Sequence, residues 1–277
     1  MTGLNKRSLP NMAPELLNGN QHSMKTPITS RHPTDPDRLA VRHRPPGQPV
    51  MHQDWGKLLF MHWRIDPNLV RHLVPAALDL DLYGDSAWIG ITPFTMWDIR
   101  AFPPFAPTVP GLDSMHELNC RTYVHYQGVP GVWFFSLDVN SLVAATTARA
   151  FFHLPYHHAE IEFSGKRSFK FQAKRSAGAE AEFRAAWTVG DELPQAQPGT
   201  REFFLTERYC LYSESDGDLY RARIFHQPWP LREATLKSVE TNLFELNRLP
   251  IPKTPPIVHY AEEVNVDIWY LESVEDE

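Results

Sequence analysis

Residues 116–124 read HELNCRTYV. With a period of two, Glu117, Asn119, Arg121 and Tyr123 share one face, and Leu118, Cys120, Thr122 and Val124 share the other. In a strand with one wet side the polar row faces water. In a sheet that closes on itself, the same row lines the inside, where an acid, an amide, a guanidinium and a phenol amount to a site. The neighbouring segments decide which applies.

On either side of this stretch the pattern is mostly strand. Trp55 to Ile65, WGKLLFMHWRI, is apolar and aromatic enough for a buried strand. Asp66 and Pro67 then give a helix N-cap and first-turn proline, with Leu69, Val70 and Leu73 as an apolar stripe. LDLDLYGDSAWIGITPFTMWDI reads as two strands around Gly84-Asp85, followed by an irregular proline-rich loop, AFPPFAPTVPG.

VPGVWFFSLDV follows the opening stretch as a strand covered on both faces, with Gly128 to Gly131 as the hairpin turn before it. NSLVAATTARAFF is helical, capped by Asn140 or Ser141 and ended by Pro155. HAEIEFSG, RSFKFQAK and AEAEFRAAWTV alternate as an antiparallel meander, and YCLYSESDGDLYRARIFH is a hairpin around Asp-Gly. Leu236, Val239, Leu243 and Leu246 stand at helical spacing, and PIVHYAEEVNVDIWYLE closes the chain as a strand. The expected fold class is α+β, mainly antiparallel β, a closed or near-closed barrel with a few flanking helices.

Composition narrows the partners. Among 277 residues, 42% are hydrophobic and 22% charged, a globular balance. Residues 1–50 carry seven Lys/Arg against three Asp/Glu, leaving twenty against thirty for the rest. An acidic body offers nucleic acid no electrostatic footprint, and the basic segment has no aromatic interleaving to stack bases. The expectation is a disordered, Pro-rich basic tail over 1–48 whose deletion leaves thermal stability unchanged, then one domain over 49–277. Cys120 and Cys210 have neither disulfide-framework nor metal-site spacing, which fits a reducing, cytoplasmic setting. With no apolar run of about 18 residues, no membrane span is expected.

The segments MHQDWGKLLFMHWRID, VRHLVPAALDLDLYGDSAWIGITPF, HELNCRTYV, GVWFFSLD, ARAFFHLPY and FHQPWPL together resemble the YqjF-like family of unknown function, a branch of the acetoacetate decarboxylase-like superfamily, from Met51 to Glu272. The resemblance implies a cone-shaped antiparallel barrel with its ligand pocket inside. In the decarboxylases a lysine forms a Schiff base with a keto acid directly after a proline. Matching Arg149 and Pro155, six residues apart, puts Tyr156 at that lysine's place and His157 at its neighbouring lysine's place. Tyrosine cannot form an imine, so Schiff-base decarboxylation is not expected. Glu117 falls where the resemblance implies an active-site glutamate.

Glu117, Arg121 and Tyr156 are therefore the candidate catalytic residues, and Asn119, Tyr123, His157 and His259 the candidate ligand-binding ones. Inside a barrel, Arg121 can hold a carboxylate or enolate, and Glu117 can have a raised pKa suited to proton transfer. Alternatively Glu117 and Arg121 form a buried structural ion pair. His226 and Tyr260 are further pocket-wall candidates. His153, His157 and His158 invite a metal reading, but Pro155 breaks the helix that would align His153 with His157, and no carboxylate completes the set, so no metal is expected. No nucleophile elbow and no phosphate-binding loop occur, and no cofactor is expected. The expected function is binding of a small anionic or carbonyl-bearing molecule, with cofactor-free lyase or isomerase chemistry through an enol-like intermediate. The alternative is a non-catalytic small-molecule binding or sequestering protein. A homo-oligomer is compatible with either.

Overall fold

The computed structural model describes residues 31–101, 114–175, 178 and 180–276. The loop expected at 101–111 lies almost wholly outside the described residues, as do residues 1–30 of the expected tail. Strand accounts for 57% and helix for 15%, so the mainly antiparallel β expectation holds.

In chain order the elements are α1 (Asp35–Ala40), β1 (Met51–Ile65), β2 (Asp79–Leu80), β3 (Ala87–Ala101), β4 (Ser114–Tyr126), β5 (Val129–Val139), α2 (Leu142–Phe152), β6 (Tyr156–Gly165), β7 (Ser168–Arg175), β8 (Glu182–Glu192), α3 (Arg201–Thr206), β9 (Cys210–Ser215), β10 (Asp218–His226), β11 (Leu231–Thr241), α4 (Leu243–Leu246) and β12 (Ile257–Ser273). Between β1 and β2 lie two 3-10 turns, Pro67–Leu69 and Arg71–Leu73. They replace the single helix expected after Asp66, whose side chain does accept from the Asn68 amide at 2.9 Å.

All strands belong to one twelve-stranded sheet, antiparallel except where β5 pairs with β6 and with β9. The β5–β6 pair is parallel because α2 carries the chain back to the starting end, the crossover that a parallel pair requires. The sheet forks twice. One edge of β5 pairs with β4 throughout, while the other meets β9 at residues 132–133 and β6 at 137–139. One edge of β12 pairs with β1, while the other meets β11 at 259–261 and β10 from 266 onward. Two circuits of hydrogen bonds thus share the band β12-β1-β3-β4-β5. The strands are not spaced evenly round an axis, and the regular barrel expected from the sequence is not established by these pairings.

The shared band has a dry core on each face. On one side Leu59, Met61, Ile89, Ile91, Leu118, Cys120 and Val124 pack with Phe169, Phe171, Phe183 and Trp187 of β7 and β8. On the other, Leu58, Phe60, Phe94, Met96 and Ala261 pack with Ala145 of α2 and Phe203 of α3. Burying both faces of a 15-residue strand requires apolar residues at nearly every position, which accounts for the composition of β1.

The helix expected across Leu236 to Leu246 is mostly strand. In the β11–β8 ladder Leu236 pairs with Trp187 and Ser238 with Ala186, leaving Lys237 bulged. One extra residue puts Leu236 and Val239 on the same side, and both pack on the larger core, so a β-bulge reproduces helical spacing. The β9–β10 hairpin turns at Asp216-Gly217 as expected, with φ of 56° and 92°, values that suit a primed turn. The β4–β5 turn sits at Gln127-Gly128, one residue earlier than the sequence suggests, and Val129 to Gly131 belong to β5.

The expected boundary after residue 48 also moves. Within 31–48, Arg38 is buried and donates to both oxygens of Asp81, one at 2.6 Å, and Arg208 donates to the same carboxylate. Burial alone would raise the Asp81 pKa, but the charges and hydrogen bonds of Arg208 and Arg38 hold it below the usual value. Val41 packs with Tyr209 and Cys210, and the Trp269 indole donates to the Pro46 carbonyl at 3.1 Å. This segment is part of the folded body. No helix among the described residues is long and apolar enough to cross a membrane.

Arg38→Met leaves Asp81 with one guanidinium instead of two, and denaturant unfolding should show a loss of about 1.5–3 kcal/mol, the range for hydrogen bonds to charged groups. Deleting residues 1–48 should lower the melting temperature; an unchanged value for both variants would return this segment to the status of a tail.

Candidate functional site

Glu117 is 3% exposed and Asn119 3%, against 2% for Leu118 and 0% for Cys120. Glu117, Asn119 and Tyr123 of the polar row are therefore as dry as the apolar row behind them, with Arg121 half-buried, and the question raised by the alternation is answered in favour of a largely buried face.

Strand register places the neighbours. Asn119 pairs with Leu137 of β5, and Leu137 with Tyr156 of β6. From there the Tyr156 hydroxyl donates to Glu117 Oε2 at 2.8 Å. Tyr156 is held from behind by Arg149 of α2, whose Nη1 donates to the Tyr156 carbonyl at 2.9 Å. Asn119 Nδ2 donates to Glu117 Oε1 at 3.3 Å. When Glu117 is ionised it can only accept, so Asn119 then presents its NH₂ to Glu117 and its Oδ1 elsewhere, where no protein partner meets it.

In the other direction, Arg121 pairs with Gly90 of β3, and Gly90 with His62 of β1. A Cβ built on Gly90 would lie 3.3 Å from His62 Cδ2 and 3.5 Å from Arg121 Nε, so the glycine lets these two side chains converge over its backbone. The Arg121 guanidinium lies 5.8 Å from the centre of the Phe60 ring, its Nε buried without a partner. Phe60 stacks on His62 with centroids 5.8 Å apart and pairs with His259 of β12. Thr92, in register with Asn119, is fully buried and its hydroxyl has no partner.

The Tyr123 hydroxyl donates to the Leu205 carbonyl at 2.6 Å and lies 2.7 Å from His62 Nε2. Its single proton is thereby used, so His62 Nε2 must carry the hydrogen that it donates to Tyr123. His62 Nδ1 is left as a buried lone pair with no protein partner.

Electrostatics assign protonation states. Burial pushes the Glu117 pKa up to about 7, against the hydrogen bonds from Tyr156 and Asn119 and the charge of Arg121. The charge of Arg121 favours the ionised form of Glu117, and Arg121 also interacts with the Tyr123 hydroxyl, but no ion pair joins Glu117 and Arg121 among the described residues. Burial, and then the charge of Glu117, pushes Tyr156 well above the usual phenol value, and it remains a donor. Burial, followed by the charges of Arg121 and His259, pushes His62 well below the usual imidazole value, and it is neutral. Burial also lowers His259, which lies within electrostatic reach of Glu202 and Arg201.

Of the seven candidates, Glu117, Asn119, Arg121, Tyr123, Tyr156 and His259 share this face. His157 does not: it follows Tyr156 on the strand, so it points the other way, toward the buried Asp138–Arg175 pair. Tyr260 likewise alternates away from His259 and stacks on Phe169 at 5.5 Å. His226 sets Nδ1 2.7 Å from the Gln227 carbonyl and Nε2 3.3 Å from the Arg208 carbonyl and stacks on Tyr209 at 4.5 Å, a packed structural residue. His153 ends α2 with φ of 51° and lies against Tyr220, apart from His157.

Among the described residues, the group whose spacing could suit a metal is elsewhere: His52, Asp54 and Asp98, with donor atoms within 4.8 Å of one another. Arg100 binds Asp98, Asn265 donates to Asp54 at 2.6 Å, and His52 lies 2.9 Å from Asp267, a polar network already closed among protein groups.

His62, Gly90 and Thr92 were not anticipated. The signal for His62 was present: it is the polar residue within the apolar run LLFMHW, and period-two reading puts it with Phe60.

The DUF2071 family, described as an uncharacterized conserved protein, matches residues 52–265. The uncharacterized protein YqjF of Bacillus subtilis (strain 168) is 38% identical over 229 residues, 82% of this chain and 93% of that protein. Among solved structures, the enduracididine biosynthesis enzyme MppR complexed with pyruvate is similar with a TM-score of 0.59 and 14% identity, covering 82% of this chain and 91% of that one. The acetoacetate decarboxylase of Legionella pneumophila is similar with a TM-score of 0.55 and 16% identity, covering 95% and 98%. At these identities the structural likeness shows the fold.

Glu117 is protonated below pH 7 in the folded protein but only below about 4.5 when unfolded, so its ionisation opposes folding as pH rises from 4.5 to 7. Glu117→Gln removes that penalty. The stability of the variant relative to the natural protein should improve between pH 5 and pH 8 by roughly 1–3 kcal/mol. Denaturant midpoints at the two pH values test this, and a pH-independent difference would show that the carboxyl titrates normally.

Proposed function

Since this chain belongs to the DUF2071, YqjF-like family and has the acetoacetate decarboxylase-like fold, we propose that the buried face of β1, β3 and β4 binds a small anionic or carbonyl-bearing molecule and moves a proton on it. One observation carries the reading: Glu117 is a buried carboxyl with no ion-pair partner, and Arg121 beside it is a guanidinium with an unpartnered buried Nε. Charges are rarely left so without a ligand to balance them.

The chemistry that fits is enolisation. The Glu117 carboxylate takes a proton from the carbon next to a carbonyl, and the C–H electron pair becomes the enolate double bond. Arg121 holds the charge that develops on oxygen. Protonated Glu117 then gives the proton to a different atom of the enolate, an isomerisation, or the enolate re-forms its carbonyl as the bond to a β-substituent breaks, that group leaving with the bonding pair and taking the proton from Glu117, a lyase elimination. Tyr156 and Asn119 hold the carboxylate in place. The MppR complex with pyruvate supports a small oxo acid as the first probe. A barrel-like enclosure of this face by the two strand circuits would exclude water from the enolate.

Tyr156 provides no amine, so the route differs from imine catalysis. Treating the protein with pyruvate or acetoacetate and borohydride should leave no lysine adduct; stoichiometric modification of one lysine overturns this part.

The main test is solvent deuterium exchange into pyruvate and acetoacetate followed by NMR. Exchange should rise with pH through about 7, as Glu117 ionises, and Glu117→Gln should slow it at least 100-fold. Arg121→Met should weaken binding at least tenfold. Binding that depends on Arg121 without any exchange would favour the non-catalytic binding protein.

A further inference from the structure

The unpartnered buried atoms on this face include donors, Arg121 Nε and Trp88 Nε1, acceptors, His62 Nδ1 and Asn119 Oδ1, and His259 Nδ1, which can be either. Arg121 Nε is a donor seeking an anion. His62 Nδ1 and Asn119 Oδ1 are the opposite, buried lone pairs seeking a hydrogen. Both assignments follow from bonds already made. Tyr123 spends its proton on Leu205, which fixes the His62 hydrogen on Nε2, and Glu117 takes the Asn119 amide hydrogens, which turns Oδ1 away. Each residue is more than nine-tenths buried, at 1% and 3% exposure. The Thr92 hydroxyl, fully buried on the strand between them, can serve either kind of partner. These groups lie on one face across three adjacent strands, with His62 and Arg121 meeting over Gly90 and Thr92 opposite Asn119.

A carboxylate or a ketone carries only acceptors. It satisfies Arg121 but sets oxygen lone pairs against the lone pairs of His62 and Asn119, and an unmet buried acceptor costs about as much as a lost hydrogen bond. An O–H or N–H on the ligand removes that cost. We infer that the natural ligand is a small acid bearing its own hydrogen-bond donor, a hydroxyl whose one hydrogen meets His62 Nδ1 or Asn119 Oδ1, or an amine whose hydrogens meet both, while Arg121 holds the acidic group. This rests on the reading of the face as an anion site, and sharpens it from carbonyl acids in general to hydroxylated or amino-bearing ones. His62 and Asn119 are then specificity residues.

The experiment compares acids with one skeleton and three oxidation levels: propionate, lactate and pyruvate, and butyrate, 3-hydroxybutyrate and acetoacetate. Their binding to the full chain is measured by calorimetry and ligand-observed NMR, with His62→Phe, Asn119→Leu and Arg121→Met as variants whose folding is checked by circular dichroism. The hydroxy acid of at least one set should bind about tenfold to a hundredfold tighter than both its deoxy and its oxo counterparts. His62→Phe or Asn119→Leu should abolish that preference, bringing the hydroxy acid down to the level of its deoxy counterpart in the same variant, and Arg121→Met should weaken all three. Equal binding within both sets, dependent on Arg121, overturns the inference and leaves the anion site standing, because solvent then serves the two acceptors. Tighter binding of the oxo acids overturns it as well. Failure of all six acids to bind in an Arg121-dependent way overturns the anion site and the inference together. If either acceptor variant fails to fold, the remaining one and the comparison among natural-protein affinities decide the outcome.

Discussion

Both faces of the strand band β12-β1-β3-β4-β5 are kept from water over its central rows, and most of the structure answers to that constraint. A sheet with one wet side can put its polar residues there at no cost. This band cannot, because β7 and β8 cover one face and α2, α3 and β10 contribute to the cover of the other. Each polar side chain on it must therefore find a protein partner, shift its pKa, or stand ready for a ligand. The fork at β5 and the fork at β12 make the double cover possible, since strands of 11 and 17 residues outlast any single partner on their second edge. Even the segment before β1 follows this logic, with Arg38 and Arg208 meeting the otherwise uncompensated Asp81.

On the face of Glu117 the three outcomes occur side by side. Tyr123 and Tyr156 have found partners, His62 and Glu117 have shifted toward their neutral forms, and Arg121 Nε, Asn119 Oδ1 and His62 Nδ1 stand unmet. The Asp138–Arg175 pair contrasts with this, because there the buried acid meets a guanidinium within the protein, whereas Glu117 meets only neutral donors. That contrast separates a binding face from a stabilising network better than burial or charge alone. The fold shared with acetoacetate decarboxylases does not by itself confer their reaction, and here the Tyr156 hydroxyl secures a carboxyl oxygen of Glu117.

Much of the strand order was legible because alternation and turn chemistry are local. β4, β6, β7, the Asp216-Gly217 hairpin and the Ser141 cap of α2 all lie where period, turn residues and capping put them. The failures have local causes too. The bulge at Lys237 gave a strand the spacing of a helix, and residues 31–48 lack a periodic apolar face although single anchors, Arg38, Val41 and Trp269 against Pro46, dock them. His157 was grouped with Tyr156 by adjacency in sequence, which in a strand means opposite faces.

What the sequence by itself determined was the membership of Glu117, Asn119, Arg121 and Tyr123 in one row, because a strand's side chains alternate whatever surrounds it. Whether that row was wet, and which residues met it from other strands, was decided only by the tertiary structure. Burial of the row depends on the sheet's two circuits, and the convergence of His62, Gly90 and Arg121 depends on registers between strands roughly thirty residues apart in the chain. Register is set by hydrogen bonds and packing across the sheet, which leave no periodic mark in any single strand. The free lone pairs of His62 and Asn119 exist only once Tyr123, Leu205 and Glu117 have taken the matching hydrogens, and no linear pattern of residues records that exchange.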